Sequence, residues 1–584
     1  MSRQRLTVNE IINILEEEGD EHRPQTIIIT GPEEGAEAIT DEDSDESDAE
    51  VTGDPTHLPR RVLDAEGQLH SRETLPEESQ SEQPSTYKGC KRMAKKRKLK
   101  DSTKKWSRDL TELNFKLPEF IPPLTPSRFS INQSPFDSFR VFFSEDFVLH
   151  IVEQTNMYAN LRGNHGFSVA SEEIYAFLGI LLFSGYHFLP RKRLFWNTDD
   201  DCNVTIVRET MRRNRFDDIL RYLHLADNTN LDTSDRLYKI RPIFQFLNRN
   251  FKLLPPRMNC CVDETIIPYC GKHGAKQFIK GKPIRFGFKL WCLAESNGHI
   301  IHAEPYGGLC TRIPKSDLGQ GGDVVVGLLE KSQLEKGSRL FFDNLFTSEK
   351  LLYTLKDMQI GGTGTLRENR VKYAENELTE KNKFKKEARG TMEERTNGDI
   401  LVTRWNDNAV VTMMTNCIQG GNKVVNRYSR KEKKNVTVPI PLAIAEYNKF
   451  MGGVDLCDQL LAMYRVNIRT KKWWWPFFAW AVDVSCVQGW LLHRHVGSTM
   501  DYLQFRRECA LYMMRHFGSP SAGRGFRQSH TGAEEIRTDH LDHLITKGSS
   551  KYKVCAQCKK RTVYICKKCN ISLHPECFLA FHEK

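Results

Sequence analysis

The apolar spacing of this chain changes twice, and those changes limit what it can fold into. From Phe136 the apolar residues recur near i, i+3 and i+4, as in FDSFRVFFSEDFVLHIVEQTNMYA and SEEIYAFLGILLFSGY. At Met258 the period shortens to β-rich runs: RMNCCVDETIIPY, RFGFKLWCLAE, HIIHAEPYGG and GSRLFFDNLF. From Pro439 the helical period returns, and it dominates 473–517. Strand runs bracketed by helical runs predict a sheet core with helices packed from both sides in sequence.

Four aspartates stand at the seams of this pattern. Asp263 closes the run Met258-Asn259-Cys260-Cys261-Val262. Asp343 follows Arg339-Leu340-Phe341-Phe342 and precedes a helix start at Asn344-Leu345-Phe346-Thr347-Ser348. Asp455 and Asp458 lie three apart in MGGVDLCDQ, on one face if that segment is helical. Two carboxylates at strand ends and a third on a later helix are what an RNase H-like nuclease core uses to hold two divalent ions, about 3.5–4 Å apart. Spacing alone leaves open that these acids are caps and surface charges. Glu264 and Asn344 adjoin the pair but are expected on the opposite strand face or at the following helix. Asp199-Asp200-Asp201 reads as a surface loop.

The C-terminal pattern CAQC-x7-CKKC-x4-HPEC-x4-H supplies Cys555, Cys558, Cys566, Cys569, His574, Cys577 and His582. That is seven ligands where two tetrahedral zinc sites need eight. His543 is the natural eighth and His540 the runner-up. Alternating pairs predict an interleaved cross-brace; a single four-ligand ribbon is the alternative. So small a module cannot fold on apolar area alone, which makes the two Zn²⁺ structural.

Charge is distributed in blocks. Residues 33–54 carry eleven Asp/Glu and no Lys/Arg, whereas 91–105 carry nine Lys/Arg and one Asp. Such blocks read as solvated tails, and residues 1–130 as a mostly disordered arm ending in a Pro-rich linker. The basic cluster 91–105 matches a nuclear localisation signal or a nonspecific DNA tail. Met1-Ser2-Arg3-Gln4-Arg5 leads into no apolar signal segment, and the thiols read as reduced cysteine plus zinc, hence cytosol or nucleus. The apolar stretches 174–190 and 473–492 are too short or too interrupted to span a membrane and read as core helices. Cations beside the strands (Lys282, Arg285, Lys289), and Arg465, Arg469, Lys471 and Lys472 beside Trp473 and Trp474, suit phosphate contact with base stacking. The alternative is tryptophan packed in the core with lysine in water.

VDETIIPYCGKHG, FFDNLFTSEKLL, GGTGTLREN and NKFMGGVDLCDQ, in that order, resemble the piggyBac family of DNA transposases. The resemblance runs from about Phe136 to the C-terminus. It implies cut-and-paste transposition at one site by phosphodiester hydrolysis and transesterification, through hairpin ends, into TTAA targets. In that reading Asp263 bridges two Mg²⁺ (or Mn²⁺) ions, Asp343 holds one and Asp455 the other. Asp458 either helps or stands behind them. The tail binds terminal inverted repeats, a tryptophan (Trp473 or Trp474) lies near TTAA, and the chain works as at least a homodimer in the nucleus. A cross-brace binding protein is the alternative for the tail. A domesticated DNA- or chromatin-binding protein that no longer transposes is the alternative for the whole.

The expected fold class is multidomain α+β: an RNase H-like α/β catalytic core with a β-rich insertion, a flanking all-helical dimerisation and DNA-binding domain, and a C-terminal cross-brace zinc module. The expected divisions are the arm 1–130, the helical domain 131–257 and 459–520, the core 258–370 and 436–458, the insertion 371–435, a linker 521–542 and the zinc module 543–584.

Overall fold

The computed structural model describes residues 105–519 and 543–583, with breaks at 125, 127–128, 130–131, 272, 280–283, 333, 368–377, 430–432, 549–552 and 570. It also describes three strands nearer the N-terminus, Leu6–Thr7, Thr26–Ile29 and Glu66–His70. The acidic tract 33–54, nearly all of the basic cluster, Lys282 and His540 lie outside the described residues. The chain divides into two compact units, Met1–Ser519 and Pro520–Lys584.

In the larger unit the helical period yields Pro135–Phe142, Glu145–Leu161 and Ser171–Ser184, then shorter helices to Arg241–Phe251. The first opens on a capping box: Asp137 N–H donates to Ser134 Oγ at 3.1 Å, and Ser134 N–H to the Asp137 carboxylate at 3.3 Å. Ser171 is the first helical residue rather than the cap. Ala170 holds that place, and its N–H donates to Glu173 at 3.3 Å. The expected helix over 204–223 breaks into Thr205–Thr210 and Arg213–Tyr222, and the one over 234–251 forms only from Arg241, with Pro242 in its first turn.

Trp475–His495 and Ser171–Ser184 are buried almost all round, as core helices require. Among the described residues no helix is long and apolar enough to cross a membrane. Asp483, the one acidic residue of the longer helix, pairs with fully buried Arg506 at 2.8 Å and accepts the Val466 N–H at 3.0 Å.

The sheet is mixed. Ile300–Pro305, Phe286–Glu295 and Asn259–Pro268 are antiparallel neighbours; Arg339–Phe342 and Gly361–Thr365 then continue it in parallel. Helices Gly319–Ser332 and Glu349–Asp357 lie in the connections between these strands. One apolar core, shared with the helical segments, contains Cys261, Phe288, Leu290 and Phe341. The other contains Cys260, Val262, Trp291 and Phe342, so the alternation of each strand feeds both faces.

Two expectations differ from the fold. The segment 371–435 does not stand apart: Val410–Thr415 pairs with Gly361–Thr365, and Leu401–Asn406 and Met392–Thr396 extend the same sheet. Pairing satisfies the backbone groups that an edge at Gly361–Thr365 would leave exposed. The arm 1–130 is not wholly detached either. Trp106 is buried in the second core, and Ser107 and Thr396 exchange backbone bonds of 2.7 and 2.9 Å. At the opposite edge Thr26–Ile29 pairs with Lys276–Phe278. Both edges are thus paired with N-terminal chain.

The smaller unit has an antiparallel sheet of Ile545–Lys547, Tyr564–Cys566 and Ile571–Ser572, a second strand pair and the helix Pro575–His582. Its fully buried core is Cys555, Cys566 and Leu573, too little to fold on apolar burial.

Candidate active site

Asn259–Pro268 and Arg339–Phe342 run parallel with Cys261 opposite Phe341 and Val262 opposite Phe342. The next residue on each strand is Asp263 and Asp343. Cys261 and Phe341 face the same core, and alternation sends the residues two further on, Asp263 and Asp343, to that same side. Burial, with the Glu264 carboxylate nearby, pushes the Asp343 carboxyl above its ordinary range against the Leu345 N–H, Arg367 and Lys289. The Leu345 N–H donates to Asp343 at 2.7 Å, which fixes the carboxylate at the head of the following turn.

Asp455 and Asp458 arrive on Gly453–Met463, a helix that starts anew after Met451-Gly452 instead of continuing Leu442–Phe450. The new helix starts hard against the sheet. A Cβ on Gly453 would meet the Glu295 carbonyl oxygen at 2.1 Å and Cys261 Sγ at 2.9 Å, so only glycine lets the helix end touch the sheet. Thr265, two residues beyond Asp263 on its strand, donates its hydroxyl to Asp458 at 2.5 Å. Gln488 of Trp475–His495 secures the neighbouring turn: its amide donates to the Gly298 carbonyl at 3.1 Å, and its oxygen accepts the Ile300 N–H at 3.0 Å.

The thiols between these elements register the convergence. Burial pushes Cys261 up to about 12, and Asp263 and Asp455 add to the shift. Cys292, directly opposite Asp263, is raised by burial and then by Asp458, Cys457 and Asp263. The structure therefore brings all four aspartates to one region. They do not form a group with every ligand atom within 4.8 Å; among the described residues such groups occur only in the tail.

One residue of this region escaped the sequence reading. Tyr447, on Leu442–Phe450, is pushed up by burial and by Asp343 and Asp263, while a hydrogen bond with Thr365 opposes the shift. Its phenol stays neutral beside the carboxylates. Its only sequence signal is a position eight residues before Asp455, which means nothing until the helix breaks at Met451-Gly452. Glu264 lies on the other strand face as expected, 3.9 Å from Lys289, whose ammonium also sits 3.7 Å from the Trp291 ring centre. Asn344 accepts from Arg367 Nε at 2.8 Å.

The cation and aromatic set divides. Arg285, Arg469 and Lys471 are exposed and Arg465 is half-buried. Lys289 is buried behind Asp343 rather than on an open face. Lys472 is buried too, its ammonium donating to the carbonyls of Leu220 and Arg221 at 2.9 and 2.6 Å at the end of Arg213–Tyr222. Trp474 is 1% exposed, and Trp473 stacks on the His273 ring at 4.2 Å. Lys472, Trp473 and Trp474 are therefore packing residues here, because capping and stacking use up the surfaces that DNA would need.

In the tail, His543, Cys566, Cys569 and His582 bring their ligand atoms within 4.8 Å of one another, and so do Cys555, Cys558, His574 and Cys577. The two quartets interleave along the chain, in the alternation that a cross-brace requires. Burial opposes ionisation of Cys555, yet the Cys558, His574 and Gln557 N–H groups bring its thiol down to about 6, toward the thiolate that binds metal.

Three kinds of comparison meet on this architecture. The family described as Transposase IS4 matches residues 134–490, a span that holds the sheet strands from Asn259 to Thr415 and all four aspartates. The fold is that of a solved piggyBac transposase synaptic complex with hairpin DNA, at TM-score 0.56 and 21% identity, covering 78% of this chain and 99% of that one. The class is thus a transposase fold. Human PiggyBac transposable element-derived protein 3 is 34% identical over 604 residues, covering 99% of both chains. Human PiggyBac transposable element-derived protein 2 is 33% identical over 583 residues, covering 98% of this chain and 96% of its own length. The chain belongs to the piggyBac family.

Proposed function

We propose that this chain is a metal-dependent DNA transposase whose RNase H-like core cuts and joins DNA at Asp263, Asp343 and Asp455. The observation that carries the reading is the pair Asp263 and Asp343, one residue beyond the last registered pair of adjacent parallel strands, with the Asp455 helix seated against the same strand. Asp343 stands at the C-terminal end of its strand, where ligands bind in open α/β sheets, and Asp263 lies beside it within the longer strand Asn259–Pro268. The donor set is all oxygen, as Mg²⁺ or Mn²⁺ requires, and a divalent cation would relieve the burial and the Glu264 repulsion that raise the Asp343 carboxyl. Two such ions, when bound, neutralise charge on a scissile phosphate and acidify a water nucleophile. Asp263, Asp343 and Asp455 would hold them. Asp458, tied to Thr265, orients the helix that presents Asp455, and neutral Tyr447 offers a hydrogen-bond donor beside the pair.

The tail quartets offer sulfur and nitrogen donors in fours, the set tetrahedral Zn²⁺ takes. Two structural zinc ions fold the module, whose basic surface reads terminal inverted repeats. Hairpin intermediates, TTAA targets, a homodimer that synapses two ends and a nuclear location belong to the same reading. It is supported by family membership and by the solved relative, whose complex contains hairpin DNA. A second reading, a host protein that binds DNA without moving it, is favoured by the human relatives' description as transposable element-derived.

Strand-resolved cleavage of end-labelled duplexes carrying candidate terminal repeats separates the two. Mg²⁺-dependent nicking, lost in Asp263→Asn, supports the enzyme. Binding without nicking supports the second reading.

A further inference from the structure

Strands Asn422–Ser429 and Lys434–Pro441 form a two-stranded ribbon of their own, outside the central sheet. Its inner face is anchored. Val425 and Val436 pack on the core, Val438 and Ile440 are buried, and Trp405 Nε1–H donates to the Pro439 carbonyl at 2.9 Å. Its flank is pinned by Lys423 to Glu446 at 2.8 Å and by Arg427 to Asp407 at 3.4 Å.

The outer face is open. Val424 is 63% exposed and Tyr428 60%, and Asn426, Asn435 and Thr437 are exposed between them. The register places Asn426 opposite Thr437 and Tyr428 opposite Asn435, so these side chains form one continuous, uncharged strip. The strip itself carries no charge, and exposed Lys433 stands beside it at the turn.

We propose that this ribbon is a second DNA-reading element, which enters the major groove of duplex DNA and reads base edges with Asn426, Asn435, Thr437 and Tyr428. A two-stranded ribbon fits that groove, asparagine pairs with adenine, and Thr and Val methyls meet the thymine methyl. Exposed Lys433 beside the strip meets phosphate. The inference rests on the chain acting on DNA, and it adds a sequence-reading contact separate from the aspartates and the tail.

The test selects bound sequences from a pool of random-sequence duplex DNA with the full zinc-loaded chain, then repeats the selection with Asn426→Ala/Asn435→Ala and with Tyr428→Ala. These residues are exposed, so unchanged thermal melting shows that each variant is folded. Expected is a loss of preference at a short block of positions, with about tenfold weaker binding to the wild-type consensus and nicking chemistry retained. Lys433→Ala should lower the slope of log affinity against log salt by about one. A photoreactive group at position 428 should cross-link to bases. Identical selected sequences and no cross-link, with wild-type DNA binding intact, overturn the ribbon proposal alone. A change in oligomeric state with unchanged DNA selection also overturns it, because the face then binds a second copy. Failure of the wild type to bind any duplex overturns both this proposal and the function it rests on.

Discussion

Asp263 and Asp343 are each the residue after a registered pair, Val262 with Phe342, on adjacent parallel strands. Nothing in their separation of eighty positions shows this; the hydrogen-bond register does. Nicking should vanish in Asp263→Asn, Asp343→Asn and Asp455→Asn while DNA binding persists, because binding is spread over many cations. Asp458→Asn should lose less, since its oxygen is occupied by the Thr265 hydroxyl at 2.5 Å. Single-turnover nicking rates with parallel binding curves check the order.

Gly453→Ala tests the helix seat. The added methyl meets the Glu295 carbonyl at 2.1 Å, backbone that cannot swing aside. We expect a cost of about 1–3 kcal/mol, read by denaturant unfolding, together with slower nicking because Asp455 moves with the helix. Gly452→Ala, which meets nothing within 4 Å, is the control.

The buried pair Asp483 and Arg506 should behave asymmetrically. Arg506→Met leaves a buried carboxylate and should cost about 3–5 kcal/mol. The double variant Asp483→Leu/Arg506→Met should recover much of that in the same unfolding experiment.

How far the sequence carries depends on the range of the interaction. Apolar period and the Cys/His spacing are local, so the core helices, the sheet strands and the seven Cys/His positions from Cys555 to His582 could be read directly, while the eighth stayed open between His543 and His540. The two quartets then follow the predicted alternation. Long-range contacts could not. The close seat of Gly453 needs the Glu295 carbonyl, the burial of Lys472 needs the end of Arg213–Tyr222, and the site position of Tyr447 needs both strands. The strands over 392–415 look like an insertion because their partner, Gly361–Thr365, lies before them in sequence.

His302 makes the larger unit acid-sensitive. It is 5% exposed, neither ring nitrogen has a hydrogen-bond partner, and burial, then Lys331 and Lys252, bring it down to about 3. The folded state thus keeps it neutral while the unfolded state protonates near pH ~6.5. Its contribution is fully present above that pH and is lost as pH falls toward 3, at about 1.4 kcal/mol per pH unit. His302→Phe should flatten the fall of stability between those limits; an unchanged slope would show that the imidazole is solvated.

Chelation should separate the two units. Zinc removal, or Cys566→Ser, should unfold the tail, since structural zinc contributes about 10–16 kcal/mol in comparable small modules. The melting of Met1–Ser519 should be preserved. Metal analysis should return two zinc ions per chain, and far-ultraviolet dichroism with terminal-repeat binding checks the consequence.

The central claim, that the aspartates form a divalent-cation site, is tested most directly by titrating Mn²⁺ into the full zinc-loaded chain and following the free ion by electron paramagnetic resonance. The account predicts saturable Mn²⁺ binding that Mg²⁺ displaces and that Asp263→Asn, folded by the same unfolding curve, abolishes or weakens at least tenfold, as the loss of a charged ligand implies. Equal Mn²⁺ binding by wild type and Asp263→Asn would contradict it.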